Sequence, residues 1–335
     1  MAERPGTTRL AAPMMEQTDE HARPAADVHA TLTVQPSAAA QRRRRPVAAY
    51  VALTKPRIIE LLLVTTIPAM FVAARGVPPL WLMVATTVGG AAAAGSANAI
   101  NCWVDRDIDA LMARTAHRPL VRSEVPPRSA LRFGVGLGVI ALVWLAATVN
   151  LLAAVLAIAA NLFYVLVYTM GLKRRTAQNI VIGGAAGCVP VLVGWAAVTG
   201  TVELPALLLF AIVFAWTPPH FWALALRYRR DYARAGIPMM PVVMGVAETT
   251  RQILLYTVLL VAVSLMFGAV AELGLLYLVS AIALGAGYIV SSFRLWRSPD
   301  AAAAHASFRY SIAYIALLFG AMAVDVAMRS GAALL

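Results

Sequence analysis

Three oxygen-bearing side chains, Asn101, Asp105 and Asp109, recur at every fourth residue in the run from Ser96 to Asp109. On a helix of 3.6 residues per turn this spacing keeps them on one face, drifting about 40° per step. Asn98 lies one turn earlier on that face, while Asp107 points elsewhere and is placed to pair with a neighbouring arginine. Carboxylates stacked at the end of an apolar helix repel one another and are costly to desolvate. A hard cation resolves both problems, because Mg²⁺ takes oxygen ligands and keeps positions open for substrate phosphates. The plainer alternative is a solvated helix end with no ligand at all.

Two further segments carry chemistry-bearing side chains. In the first, Trp216-Thr-Pro-Pro-His220-Phe-Trp222 leads through Arg227 to Asp231-Tyr232. Asp231 is the sole acid among Arg227, Arg229, Arg230 and Arg234. It reads either as simple charge pairing or as a further metal ligand facing Asp105 and Asp109. His220 reads as polar glue between helices, a proton carrier or an iron ligand. In the second segment, Tyr168 precedes Lys173, Arg174 and Arg175, whose charge suits a diphosphate.

These residues need a scaffold, and the composition says which kind. Of 335 residues, 61% are hydrophobic and 13% charged, with a mean hydropathy of +0.75. Soluble domains carry roughly 25% charged residues, so lipid is the expected solvent. The net charge of +12 does not point to nucleic acid, since the cations lie between hydrophobic runs, where they meet anionic headgroups. Cys102 and Cys188 form no disulfide framework and read as small core residues. Residues 1–45 are rich in Ala, Pro, Thr, Arg and Glu and read as a disordered tail ending in the basic block Arg42–Arg45. They have no apolar core of the kind a secretory signal needs.

Residues 46–335 form the expected membrane domain. Nine spans are predicted, at 57–75, 80–104, 131–149, 151–171, 179–199, 204–226, 252–271, 273–292 and 309–329. Each approaches the roughly 20 residues that cross the hydrocarbon. The third and fourth require a tight hairpin at Val149-Asn150-Leu151. The expected fold is therefore all-α, a polytopic bundle of nine transmembrane helices. Of the 28 Lys and Arg residues, 23 fall on one side and only Arg75 and Arg329 on the other, the rest being in the far tail. The rule that positive loops stay inside predicts a cytoplasmic N-terminus and a cytoplasmic cluster of acids.

The segments together resemble the UbiA superfamily of intramembrane prenyltransferases, and within it the heme O synthase (protoheme IX farnesyltransferase) branch. The resemblance runs from about Leu53 to Leu318. The family's Asn-x-x-x-Asp-x-x-x-Asp motif is matched by Asn101, Asp105 and Asp109. Asp105-Arg-Asp-Ile-Asp109, Thr54-Lys-Pro-Arg57, Trp216–Trp222 and Ala235-Gly-Ile-Pro-Met239 resemble the heme branch. The second Asp-x-x-x-Asp motif of many members is halved here, since Ala235 stands four residues after Asp231.

The resemblance implies a UbiA-like bundle in the cell (inner) membrane that farnesylates heme b, giving heme O and diphosphate. It implies Mg²⁺ held by Asn101, Asp105, Asp109 and Asp231, with Lys55, Arg118, Lys173 and Arg174 on the diphosphate. Asn98, Tyr168 and His220 complete the expected substrate contacts, His220 toward the heme. Implied partners are farnesyl diphosphate, heme b, the bilayer and a downstream heme A synthase. Two alternatives stay open at this point. One is another aromatic or tetrapyrrole acceptor; the other is a secondary transporter, against which the gathering of acids at one face argues.

Overall fold

The computed structural model describes residues 46–332, so the expected tail of residues 1–45 lies outside the described residues. All regular structure among the described residues is helical. In chain order, α1 is Pro46–Thr54, α2 Pro56–Ala74, α3 Leu80–Val104, α4 Arg106–Leu111, α5 Pro127–Thr148 and α6 Leu151–Leu162. Helix α6 continues without a break as a π-helix, Phe163–Leu172. Then follow α7 Asn179–Thr199, α8 Leu204–Arg227, α9 Arg229–Arg234, α10 Met240–Val243, α11 Gly245–Val270, α12 Leu275–Arg297 and α13 Ala301–Ala332.

Among the described residues, eight helices are long and apolar enough to cross a membrane, and α2 supplies the ninth expected span with its apolar stretch Val64–Ala74. The long helices follow one another around a ring, each packed on the next, and α13 closes it against α2 and α8. Outward faces carry large apolar side chains, such as Val139 and Val143 on α5 or Val279 and Ile282 on α12. These face lipid, where every backbone group must already be paired within its helix. Inward, the tightest contacts use small residues. At Gly134 a Cβ would sit 2.7 Å from Ile100 Cγ1 and 3.3 Å from the Ile100 backbone nitrogen. Glycine therefore lets α5 lie directly on the part of α3 that ends in the acidic motif, and Ser96 Oγ donates to the Gly134 carbonyl at 2.7 Å.

The hairpin between α5 and α6 forms as expected. Asn150 caps α6 by accepting from Ala153 N at 2.8 Å, and its amide donates to the Ala196 carbonyl of α7 at 2.7 Å. Both cysteines are buried and free. The tandem prolines leave α8 unbroken.

The structure corrects the sequence reading in three places. Helix α13 begins at Ala301 instead of near 309, because Asp300 caps it by accepting from Ala303 N at 2.7 Å and the alanine run is a strong helix former. Helix α1, which was not expected, packs Ala49 and Leu53 against Ala99 and Cys102 of α3. Asp325, whose i,i+4 spacing from Arg329 would suggest a pair within α13, instead accepts from Gly274 N at 2.6 Å and Tyr277 N at 3.3 Å at the start of α12. Arg329 donates to the Glu272 carbonyl.

Asn150→Ala removes both the cap and the tie to α7. It should lower stability by about 1–2 kcal/mol, read as a lower midpoint of thermal unfolding in detergent. Asn150→Asp, which keeps the cap alone, should fall between the two.

Candidate active site

The α3 helix stops at the first acid of the motif. Asp105 leaves the helical region (φ −88°, ψ 5°) and the chain turns into α4. Asp105 N still donates to Asn101 O at 2.9 Å and Asp109 N to Asp105 O at 2.8 Å. The rungs thus carry the four-residue spacing across the junction. Asn101, Asp105 and Asp109 are 2%, 0% and 3% exposed. They are not a solvated helix end.

Cations from three other segments meet them. Lys55 occupies a left-handed conformation between α1 and α2 (φ 54°), a sparsely populated region for a side chain of this kind. Asn98 Nδ2 ties down this turn by donating to the Thr54 carbonyl at 2.9 Å. Lys55 Nζ then donates to Asn101 Oδ1 at 2.7 Å. Burial disfavours the ammonium and lowers it to about 8. Arg118 donates to Asp109 Oδ2 at 2.5 Å. Lys173 pairs with Asp105 Oδ2. Asn101 Nδ2 bridges Asp105 Oδ2 at 2.7 Å and Thr169 Oγ1 at 3.2 Å. Two carboxylates against three cations leave this cage one charge positive.

Arg174 stands just outside it. Both of its terminal nitrogens donate to Asp107 at 2.7 Å, so Asp107 does pair with an arginine, but with one 67 residues away and not a chain neighbour. The Arg174 guanidinium holds the Asp107 carboxyl well below the usual carboxylate range. Arg174 also comes within 3.7 Å of Asp105 Oδ1.

The π-helix determines where Lys173 points. Lys173 N donates to Tyr168 O at 2.9 Å, five residues back. An α-helix turns about 100° per residue and would put Lys173 opposite Tyr164. The wider π-turn, at about 80° per residue for its five-residue rungs, returns Lys173 to nearly the same face. Tyr164, Tyr168 and Lys173 accordingly all line one cavity. The close approach of the Tyr168 ring to α7 requires Gly183, where a Cβ would overlap that ring.

The cavity has a volume of ≈ 310 Å³. Its polar end holds Lys55, Asn101, Asp109, Arg118 and Lys173, and its deeper wall is built of small or apolar residues including Ala93, Ala97, Ala157, Gly187 and Val213. One end suits a polyanion and the other a hydrocarbon chain. The donor atoms of Asn101, Asp105 and Asp109 are all oxygen, and Asp105 Oδ1 is buried with no hydrogen-bond partner. That set fits Mg²⁺. Among the described residues no three Asp, Glu, His or Cys side chains gather closely enough to hold a metal unaided. An ion here would rely on the Asn101 amide and on substrate oxygens.

Asp231, expected among the metal ligands, does not join the cage, and His220, expected toward the heme, lies outside it. Asp231 pairs with Arg234 at 3.2 Å. Its neighbour Tyr232 does line the cavity and packs with Ile108 and Met112, so α9 lies against α4. His220 Nδ1 lies 2.7 Å from Ser311 Oγ, and its ring stacks on Trp216 and Phe308 at centroid distances of 4.2 and 4.8 Å. It ties α8 to α13 through that contact, while Trp216 forms cavity wall. Sequence reasoning passed over Tyr164, Thr169 and Arg114. The four-residue spacing of Tyr164 and Tyr168 before a basic loop was the available signal for the first.

An apolar pocket inside a helical bundle, mouthed by a cationic cage around two buried acids, suits a ligand with a polyanionic head and an apolar tail. The UbiA prenyltransferase family model matches residues 62–319, and the chain belongs to that family. Within it, the chain is 57% identical over 289 residues to protoheme IX farnesyltransferase 1 of Saccharopolyspora erythraea, covering 85% of this chain and 92% of that one. It is 55% identical over 277 residues to protoheme IX farnesyltransferase of Parafrankia sp., covering 82% and 88%. Among solved structures, a study of digeranylgeranylglyceryl phosphate synthase in membranes gives a TM-score of 0.70 at 17% identity, covering 84% of this chain and 98% of that one. A UbiA homolog from Archaeoglobus fulgidus bound to DMAPP and Mg²⁺ gives 0.63 at 18% identity, covering 82% and 99%. These two share the fold.

Inserting one alanine between Met170 and Gly171 should rotate Lys173 by roughly 80–100°. Turnover of prenyl diphosphate should then fall as far as in Lys173→Ala, with the thermal midpoint unchanged. Full activity of the insertion variant would show that the π-helix does not aim Lys173.

Proposed function

We propose that this protein transfers the farnesyl group of farnesyl diphosphate to a vinyl side chain of heme b, releasing diphosphate and giving heme O. The observation that carries the transfer chemistry is the cage of Lys55, Arg118 and Lys173 around Asp105 and Asp109 at the mouth of an apolar cavity. The names of its relatives at 57% and 55% identity support heme b as acceptor.

The cationic side chains bind the diphosphate oxygens and absorb charge as the allylic C–O bond breaks. Lys55 is held on Asn101 and Lys173 on Asp105, so their fixed positions orient the diphosphate as well as neutralise it. Arg174, locked by Asp107, closes the outer side. The small apolar wall shelters the farnesyl chain and keeps water from the developing cation until the vinyl group has attacked C1. Water then adds to the resulting cation and loses a proton, leaving the hydroxyethylfarnesyl substituent. Asn101, Asp105 and Asp109 would hold Mg²⁺; Asp231, paired with Arg234 outside the cage, would contribute only by leaving that partner. When bound, Mg²⁺ supplies further charge neutralisation on the leaving diphosphate. Asn98 supports Lys55 through the Thr54 carbonyl, Tyr168 contributes an aromatic face to the cavity, and His220, stacked behind the Trp216 wall, would face the heme.

The excess of Lys and Arg on the loops that carry these residues supports a site at the cytoplasmic face of the cell membrane. A heme A synthase acting next on the product belongs to the same reading.

Cells lacking their own heme O synthase should accumulate heme O when they express this chain. Asp105→Asn should lower turnover by about 10²–10³-fold, the range for loss of one electrostatic group in an active site. Chelation of divalent ions should stop the wild type, and added Mg²⁺ should restore it. Pigment extracts containing only heme b would dismiss the acceptor, and activity that survives chelation would dismiss the metal.

A further inference from the structure

Four basic side chains line the cavity: Lys55, Arg114, Arg118 and Lys173. Three are committed to the cage, through Asn101, Asp109 and Asp105. Arg114 is not. Among the described residues it makes no ion pair, and its guanidinium lies over the Tyr228 ring, 5.9 Å from the centroid. Arg227 approaches the same ring at 5.7 Å, likewise with no carboxylate partner among the described residues. Tyr228 marks the junction of α8 and α9, whereas Lys55 and Asn101 belong to the α1–α2 turn and to α3. Arg114 at the cavity and Arg227 behind it on the same ring thus form a pair of cations outside the cage.

We propose that Arg114, with Arg227 beside it on Tyr228, docks the carboxylates of the acceptor, the propionates of heme b. The proposal rests on the reading of heme b as acceptor and adds its orientation. An arginine with no acid partner at the edge of an apolar pocket meets a carboxylate through two parallel N–H···O bonds, which a lysine cannot reproduce. The aromatic ring holds both guanidinium groups in place without neutralising them. Heme b carries its two propionates on one edge and its vinyl groups on the opposite edge. Propionates held at this rim leave the vinyl edge to enter the apolar cavity, where the farnesyl chain lies. The diphosphate and the propionates, both anionic, then occupy separate cation groups and do not compete.

The test compares heme b with its dipropionate dimethyl ester, using reconstituted wild type, Arg114→Gln and Arg114→Lys with farnesyl diphosphate. The wild type should favour the diacid by about tenfold in kcat/KM, the scale of one charge-assisted pair. Arg114→Gln should raise the KM for heme b by about that factor and lose the preference for the diacid, with the KM for farnesyl diphosphate unchanged. Arg114→Lys should recover only part of the preference. An Arg114→Gln variant that still prefers the diacid as the wild type does, or that raises the KM for farnesyl diphosphate instead, overturns the docking role. A wild type that farnesylates neither heme form overturns the acceptor assignment itself, and this proposal with it.

Discussion

The architecture turns on the burial of Asp105. A carboxylate with no solvent exposure is costly in any protein and more so beside hydrocarbon. It persists only because Lys173 and the Asn101 amide reach one oxygen, with Arg174 near the other. These partners come from two parts of the chain, α3 itself and the loop after the π-helix, and the cage they belong to needs further support. Gly134 brings α5 against α3, the left-handed turn at Lys55 is held by Asn98, and the π-helix turns Lys173 inward. The helices are thereby fixed to one another at the polar end by charge, and elsewhere by small-residue packing and scattered hydroxyl bonds.

The same constraint divides the cavity. All its strong charges lie at one end, and the deeper wall carries alanine, glycine and valine. Charge there would have no counterion within reach, and bulk would fill the space. A molecule with a polyanionic head and an apolar tail matches both halves at once. Thr169 illustrates how closely the halves join: its hydroxyl accepts from Asn101 in the cage and donates to the Tyr164 carbonyl in the cavity wall.

Much of this was legible in the sequence. Hydrophobic runs located the spans to within a few residues through most of the chain, because lipid imposes a length that composition reveals directly. The spacing of Asn101, Asp105 and Asp109 exposed the acidic face, and Asp107 was rightly set apart from it. The missing parts have physical causes. Helix α1 and the short helices α4, α9 and α10 lie at the rim, where no hydrocarbon thickness fixes their length. The π-helix has the composition of an ordinary apolar helix, and only the five-residue step from Tyr168 to Lys173 hints at it. His220 reads in sequence as glue between helices or as a reactive residue, and Ser311, 91 residues away, gives it a structural bond that no local pattern contains.

That bond has a consequence for how the protein is made. Helix α13 follows every other described helix in the chain, yet it closes the ring against α2 and holds Trp216 and His220 of α8 through Ser311. The ribosome delivers the acid-bearing segments early and their keystone late. Until α13 inserts, the wall carrying Trp216 lacks its backing, and a nascent chain can present charged residues to the bilayer without yet having a closed chamber. Closure of the chamber therefore waits on the last of the described helices.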